Sequence, residues 1–455
     1  MIKRFYDELN LYMKPGKVLV LYGPRRVGKT TLVKNFLSKQ INTKYIFDDG
    51  TDINIQETLS SLDLTILKRY VGNNNVVVID EAQNVPNIGN AIKLIVDHIE
   101  GVQIIITGSS SLDLVNSVGD PLTGRSTELL LYPISQLELS SNLGQYHLER
   151  NNEEYLIFGS YPEVLTLASF DEKSKYLLSL VNSYILRDIL SLEKVKGSKI
   201  LLDLLRLLAF QIGSEVSLSE LSDKLNIDAK TISRYLDLLE KSFIIYRLGS
   251  FSGNLRSEVT KKSKYFFFDN GVRNALINNF NTLNLRDDEG KLWENFLLIE
   301  RIKRQRYLDN NVNSYFWRTY EQKEVDYIED IRGNISAYEF KYSNSKTNKG
   351  IKEFQMLYPK SEVNIINKSN YLDFICLNLV NLVELPIGRI LLQIQHEYPY
   401  LKKDIDRIID NIKGYSNDQW ISVKEQLAFL KNDKVEKQDI DKFQELIDSI
   451  IIKNL

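Results

Sequence analysis

Apolar residues recur along this chain with two different periods. Val18-Leu-Val-Leu-Tyr22, Val76-Val-Val-Ile79, Val102 to Ile106 and Leu129 to Tyr132 are short continuous runs rich in β-branched residues, as parallel strands buried on both faces require. Leu32 to Leu37 follows the first run with helical spacing, so residues 1–140 read as an α/β core with a parallel sheet. Residues 141–205 are helix-patterned, with a stripe through Leu177, Leu180, Val181, Tyr184 and Ile185. Ser217 to Leu225 and Asp228 to Glu240 read as two short helices, Asp228 serving as an N-cap, and Phe243 to Arg247 follows as strand. That order predicts a winged helix over 206–260. Residues 261–385 give a helix opened by Trp293 and strands at Tyr315–Arg318, Glu324–Ile328 and Ala337–Tyr342, an α/β pattern. Residues 386–455 carry three apolar stripes, through Leu401 to Ile412, Trp420 to Leu430 and Ile440 to Ile450, and read as a helical appendix.

The turns that close these elements hold the candidate chemistry. Gly23-Pro24-Arg25-Arg26-Val27-Gly28-Lys29-Thr30-Thr31 stands between the first strand and the first helix and fits a phosphate-binding loop. Its two glycines let backbone N–H groups turn inward around phosphates. Lys29 supplies a point charge to the β and γ phosphates, the Thr30 hydroxyl is a ligand for Mg²⁺, and the helix N-terminus favours the anion. Asp80 and Glu81 close a central strand, Asp80 for the Mg²⁺ shell and Glu81 to polarise the attacking water. ATP and Mg²⁺ are therefore the expected cofactors, and ATP hydrolysis is the expected reaction. Thr107 or Ser109, at the end of the third strand, is placed to sense the γ phosphate. Arg125, just before another strand, is a candidate to reach a neighbouring subunit's ATP in a homo-oligomer of ATPase modules; an ordinary ion pair is the alternative.

Strand periodicity organises a second constellation. Period two puts Glu339 and Lys341 on one face, and Glu324 with Asp326 on one face of the adjacent strand. Asp326 and Glu339 are then expected to share a divalent ion, Mg²⁺ or Mn²⁺, while Lys341 orients a water and Glu294 completes the cluster from the helix. Phosphodiester cleavage is one reading; a domain that only holds DNA or packs on the ATPase is the other. Duplex or branched DNA is the expected partner. The second helix of the winged-helix pattern offers Lys230, Thr231 and Arg234, and Lys261, Lys262 and Lys264 belong to a stretch with six basic residues against Glu258 alone. Use of the winged helix only for internal packing is the alternative.

Taken together, these motifs resemble the prokaryotic AAA-plus ATPases that carry a C-terminal domain of restriction-endonuclease-like fold. The matching residues are Gly23 to Thr31, Val76 to Glu81, Ile106 to Ser109, Gly124-Arg125 with Tyr132-Pro133, Gly159-Ser-Tyr-Pro162, Arg187-Asp188, Tyr265-Phe-Phe-Phe-Asp269 and the acidic motif, spread over residues 1 to about 385. Asp326 followed by Glu339-x-Lys341 is similar to the PD-(D/E)xK nuclease pattern. The resemblance implies a P-loop core, a helical lid over 141–205, a winged helix, a nuclease-like α/β domain and a tail of its own beyond 385. Arg187 would then reach back to the nucleotide or pair with Asp188. Ser160 stands where the pattern expects a second glycine.

Composition narrows this picture further. The 455 residues hold 58 Lys and Arg against 60 Asp and Glu, a net charge of −2, so any nucleic-acid surface must be a local patch. A hydrophobic fraction of 43% with 25 Tyr and 19 Phe excludes wholesale disorder. One cysteine, Cys376, rules out an internal disulfide and fits a reducing compartment; with three scattered histidines it leaves no zinc site. Without an apolar run long enough to span a bilayer, a cytoplasmic location and no membrane partner are expected. The competing classes are an ATP-dependent switch or signalling protein with an inactive nuclease-like domain, and a defence nuclease licensed by ATP.

Overall fold

The computed structural model describes residues 2–14, 16–40, 43–109, 122–185, 198–251, 263–308, 310–342 and 349–376. The stripes of the expected appendix, Arg187, Lys261 and Lys262 lie outside the described residues.

The first module is built on β1 (Val18–Tyr22), α1 (Lys29–Ser38), β2 (Tyr45–Asp49), α2 (Ile53–Ser60), α3 (Leu64–Val71), β3 (Val76–Asp80), α4 (Ile88–His98), β4 (Gln103–Gly108) and β5 (Ser126–Leu130). The five strands form one sheet in the order β2-β3-β4-β1-β5, every pair parallel. Strand alternation sorts the apolar runs onto two faces. Leu19, Leu21, Val76, Val78 and Ile105 face α1 and the body of the molecule, whereas Val18, Val20, Val77, Ile79, Ile104 and Ile106 face a second cluster with Leu59, Leu67 and Ile92 from α2, α3 and α4. All five C-terminal strand ends lie on one edge, because the pairing is parallel throughout.

Helices follow, as expected: α5 (Gln136–Leu143), α6 (Gln145–Arg150), α7 (Asn152–Phe158), α8 (Phe170–Ser179) and a π-helical turn at Leu180–Ile185. Ser135 and Glu138 form a capping box that starts α5, and Ser169 with Glu172 does the same for α8. Next come α9 (Ser198–Phe210), β6 (Glu215–Val216), α10 (Leu218–Leu225), α11 (Ala229–Lys241), β7 (Ile245–Ser250), β8 (Ser263–Phe267) and α12 (Asn270–Leu276). The expected N-cap holds, since Asp228 accepts from the Thr231 N–H.

The last elements are α13 (Glu289–Tyr307), β9 (Asn313–Arg318), β10 (Glu324–Ile331), β11 (Asn334–Phe340), α14 (Lys349–Leu357), β12 (Glu362–Ile366) and α15 (Tyr371–Ile375). Their strands continue those of the preceding segment in a seven-stranded sheet, β12-β11-β10-β9-β7-β8-β6. The strands on either side of the expected boundary at 260/261 share one hydrogen-bonded sheet: β8 pairs with both β6 and β7, and β7 pairs with β9. Phe266, Phe267, Phe316, Tyr327 and Phe340 of this sheet pack into the same core as helix α1. The sheet also buries Trp317, Val325, Ile328 and Ala337 under Ile351 and Phe354 of α14 in a separate cluster. Helix α13, buried on most of its circumference, lies at the junction, and its Glu300 accepts from the Gln136 N–H of α5 at 2.6 Å. No helix among the described residues is long and apolar enough to cross a membrane.

Candidate functional site

Parallel pairing brings the ends of β1, β3 and β4 side by side, and the expected nucleotide residues meet there. Gly23 holds φ at 146°, and an ideal Cβ on it would lie 2.1 Å from the Leu131 carbonyl oxygen, so only glycine fits the turn. Lys29 is nearly buried and its ammonium donates to the Gly23 and Pro24 carbonyls, both at 2.9 Å, across the concave side of the loop. The Thr30 hydroxyl donates to one Asp80 oxygen at 2.8 Å, and the Thr107 hydroxyl donates to the other. Thr107 is therefore buried against Asp80, and it also accepts from the Glu81 N–H at 3.2 Å. Glu81 itself sits at φ 50°, which turns its carboxylate off the strand; Gln83 Nε2 donates to it at 2.6 Å and to Ser109 Oγ at 3.3 Å. Arg25, Arg26 and Thr31 are exposed around the loop, while Val27 is buried. Beside Gly28 opens a cavity of about 160 Å³ whose walls include Ile2, Val27, Thr31, Ile134 and Pro162.

Arg125 is not part of this constellation. Its carbonyl accepts from the Val18 N–H, at the opposite end of β1 from the loop, and its side chain pairs with Asp97 of α4 at 3.0 Å while remaining part-exposed.

The second constellation forms at the junction of α13, β8, β10 and β11. Carboxylate oxygens of Glu294, Glu324 and Asp326 lie within 4.8 Å of one another, a spacing that a single divalent ion can bridge. Tyr327 faces Tyr338 across β10 and β11, so the same register carried one step further sets Asp326 opposite Glu339. The Phe340 N–H donates to Asp326 at 2.7 Å, and Lys341, half-buried, pairs with the buried Glu339. Burial pushes Asp326 well above the usual carboxylate range, reinforced by Glu294 and Glu339 and opposed by Lys264. Burial likewise raises Glu294, against the pull of Lys264.

Lys264 requires a correction. Expected as a DNA contact, it is 1% exposed and its ammonium lies inside the acidic cluster, 3.2 Å from Glu294 and in contact with Glu324. Burial works to lower its pKa, yet Glu294 and Glu324 raise it above the ordinary value, so it stays charged. Residue 264 lies on the central strand of the β6–β8–β7 ribbon, where alternation aims its side chain at α13 rather than at solvent. Of the other expected DNA contacts, Lys230 and Arg234 are exposed on α11, and the Thr231 hydroxyl is committed to Asp228 at 2.7 Å. Sequence reasoning missed Glu324 as a member of the cluster, although its period-two relation to Asp326 was the available signal.

Two distant motifs are joined in the interior. Asp269, which ends the Tyr265–Asp269 run, accepts from the Ser160 N–H at 2.7 Å and from Val272 N at 3.1 Å. A Cβ on Gly159 would lie 2.0 Å from the Asp269 carboxylate, which is why glycine stands at 159, whereas position 160 contributes a backbone N–H that serine supplies equally well. Burial pushes Asp269 up to about 6, against the opposing charge of Lys303.

A phosphate-type loop, a Thr–Asp–Thr hydroxyl–carboxylate group and a following glutamate thus meet at one edge of a parallel sheet, and residues 15–140, which contain them, match the model of an AAA domain. Residues 149–283 and 289–385 match two models of domains of unknown function. An uncharacterized protein of Methanocaldococcus jannaschii is 24% identical over 363 residues, covering 75% of this chain and 78% of its own. Another, from Haemophilus influenzae, is 26% identical over 347 residues, covering 72% and 82%. Among solved structures, RuvB of Thermotoga maritima aligns over 51% of this chain and 82% of its own at 14% identity with a TM-score of 0.27. AMPPCP-bound DnaA of Aquifex aeolicus aligns over 52% and 85% at 16% identity with a TM-score of 0.26.

Proposed function

We propose that this chain is a Mg²⁺-dependent ATP hydrolase whose turnover is coupled to DNA held by its middle and C-terminal segments. The observation that carries the hydrolase reading is the convergence of Lys29, Thr30, Asp80, Thr107 and Glu81 at one sheet edge. The residues present fit the cation, since the Thr30 hydroxyl and the Asp80 carboxylate are hard oxygen donors already 2.8 Å apart. When bound, Mg²⁺ would neutralise charge on the β and γ phosphates. The chain's own part is then clear. Lys29 exchanges its two backbone carbonyls for phosphate oxygens, the loop N–H groups hold the chain of phosphates, and Glu81 orients water once Gln83 releases it. Arg125 would act only across a subunit interface, after leaving Asp97.

The DNA part of the proposal is supported by the order α9, β6, α10, α11, β7, β8, which is that of a winged helix, and by the exposed Lys230 and Arg234 on its second short helix. Hydrolysis rates measured with and without linear, nicked and four-way DNA test the coupling: stimulation is expected, and a rate indifferent to every DNA would refute it. Lys29→Ala should abolish ATP binding or turnover, because it removes the charge that the phosphates need; unchanged steady-state hydrolysis would sink the assignment.

For the acidic centre, metal-dependent cleavage by Asp326 and Glu339 with Glu294, Glu324 and Lys341 is the active form of the proposal. One observation favours a second reading, a centre that holds DNA or packs without cutting it: the Lys264 ammonium already compensates Glu294 and Glu324. Incubation of wild type and Asp326→Ala with plasmid and four-way DNA, in Mg²⁺ and in Mn²⁺ with ATP, decides between them. Cutting by wild type alone supports cleavage; no cutting by either supports the second reading.

A further inference from the structure

We infer that Arg4 is a positioning residue of the nucleotide site, holding the phosphate loop in its binding shape before nucleotide arrives. The inference rests on the ATP-hydrolase reading above. A loop that turns its N–H groups toward phosphates must turn carbonyls away from them, and a carbonyl turned into protein needs a donor there. Val27, at the apex of the loop, is fully buried, and its carbonyl accepts from Arg4 Nη1 at 2.5 Å. The same guanidinium donates through Nη2 to the Tyr132 carbonyl at 2.6 Å and through Nε to Glu138 at 2.8 Å. An ideal Cβ on Gly28 would lie 3.8 Å from Nη1, so the group lies directly behind the turn.

The other ends of these bonds are fixed as well. Glu138 is buried, accepts from Phe5 N at 2.9 Å, and caps α5 through Ser135 N at 2.8 Å. Tyr307 of α13 braces this support: its hydroxyl hydrogen-bonds with Arg4 and accepts from the Tyr132 N–H at 3.3 Å, and Phe5 stacks on its ring at 4.8 Å. A planar fork tied at once to Val27, Tyr132, Glu138 and Tyr307 leaves the Val27 carbonyl one orientation. Ordering that would otherwise accompany nucleotide binding is therefore present beforehand, and its loss should appear in affinity rather than in the chemical step. Lys29, Thr30 and Glu81 keep their own partners.

The test uses the full chain with Arg4→Ala and Arg4→Lys, reading kcat and KM for ATP and Kd for a non-hydrolysable ATP analogue. Arg4→Ala should raise KM and Kd about tenfold or more while kcat at saturation stays within about threefold. Millimolar methylguanidinium, which fits the cavity wall that Arg4 forms, should recover part of the affinity in this variant. Arg4→Lys keeps the charge opposite Glu138 yet cannot reach both carbonyls, so it folds and still shows the raised KM. Unchanged KM and Kd in Arg4→Lys, or a loss confined to kcat, would overturn the inference. Analogue binding reads Arg4 even in a chain that does not turn over, whereas absent hydrolysis by wild type sinks only the hydrolase reading.

Discussion

Replacing Lys264 by methionine tests whether the buried ammonium is the charge that makes the acidic centre tolerable. Methionine keeps most of the stem volume, so the change is mainly electrostatic. With the ammonium gone, Glu294, Glu324 and Asp326 are left with oxygens within 4.8 Å of one another. Two unit charges at that separation repel by about 3.5 kcal/mol at an effective dielectric of about 20, and breaking a buried pair by removing one partner costs about 3–5 kcal/mol. The expected loss at pH 7.5 is therefore about 3–5 kcal/mol. The cluster can relieve it by taking up protons, since Asp326 and Glu294 already have folded pKa values above their unfolded ones. Groups raised in this way bind more protons folded than unfolded, so they favour folding at low pH and lose that advantage as pH rises. The deficit of Lys264→Met should accordingly shrink between pH 7.5 and 5. Urea unfolding followed by tryptophan fluorescence suits the measurement, because Trp293 and Trp317 are both buried in the layers around the cluster. A loss below about 1 kcal/mol at pH 7.5, or a deficit that grows on acidification, would refute the reasoning.

Glu81→Gln keeps an acceptor for Gln83 and removes the carboxylate, so ATP should bind while hydrolysis slows by about 10²–10⁴-fold; loss of binding along with turnover would make Glu81 structural. Charge reversal of Lys230 and Arg234 together should weaken DNA binding and flatten its salt dependence by about one unit of log–log slope per lost phosphate contact, and an unchanged slope would show a merely solvated face. Asp269, pushed up to about 6, is protonated in the fold at pH 5 and ionised at pH 7.5. Its contribution falls as pH rises from the unfolded value near 4 through 6, by about 3 kcal/mol in all, at about 1.36 kcal/mol per unit. The stability difference between wild type and Asp269→Asn should move by that amount over this range, and a difference independent of pH would exclude the titration.

The two constellations were legible to different degrees. The nucleotide site is written in contiguous residues, because a strand, a glycine turn and a helix N-terminus must follow one another directly to form a phosphate cradle; Gly23 to Thr31 could hardly fold otherwise after a buried β1. Asp80 and Thr107 were legible for a related reason, since parallel strands deliver their C-terminal ends to one edge wherever they stand in the order. Asp326 and Glu339 followed from period two within each strand, which an antiparallel register then set opposite one another.

What the sequence could not supply is the identity of partners across the fold. Lys264 sits in a basic run and reads as solvent-facing, yet pairing of β8 on both edges turns it into the acidic centre. Arg4 carries no local signal at all, and only the docking of the N-terminal segment beneath the loop brings its guanidinium to Val27, Tyr132 and Glu138. Period and turn chemistry are properties of neighbouring residues, so the chain determined its elements and its phosphate loop by itself. The place of a buried charge depends on which strand edges and helix faces meet, and that was decided only when the two sheets closed on α13.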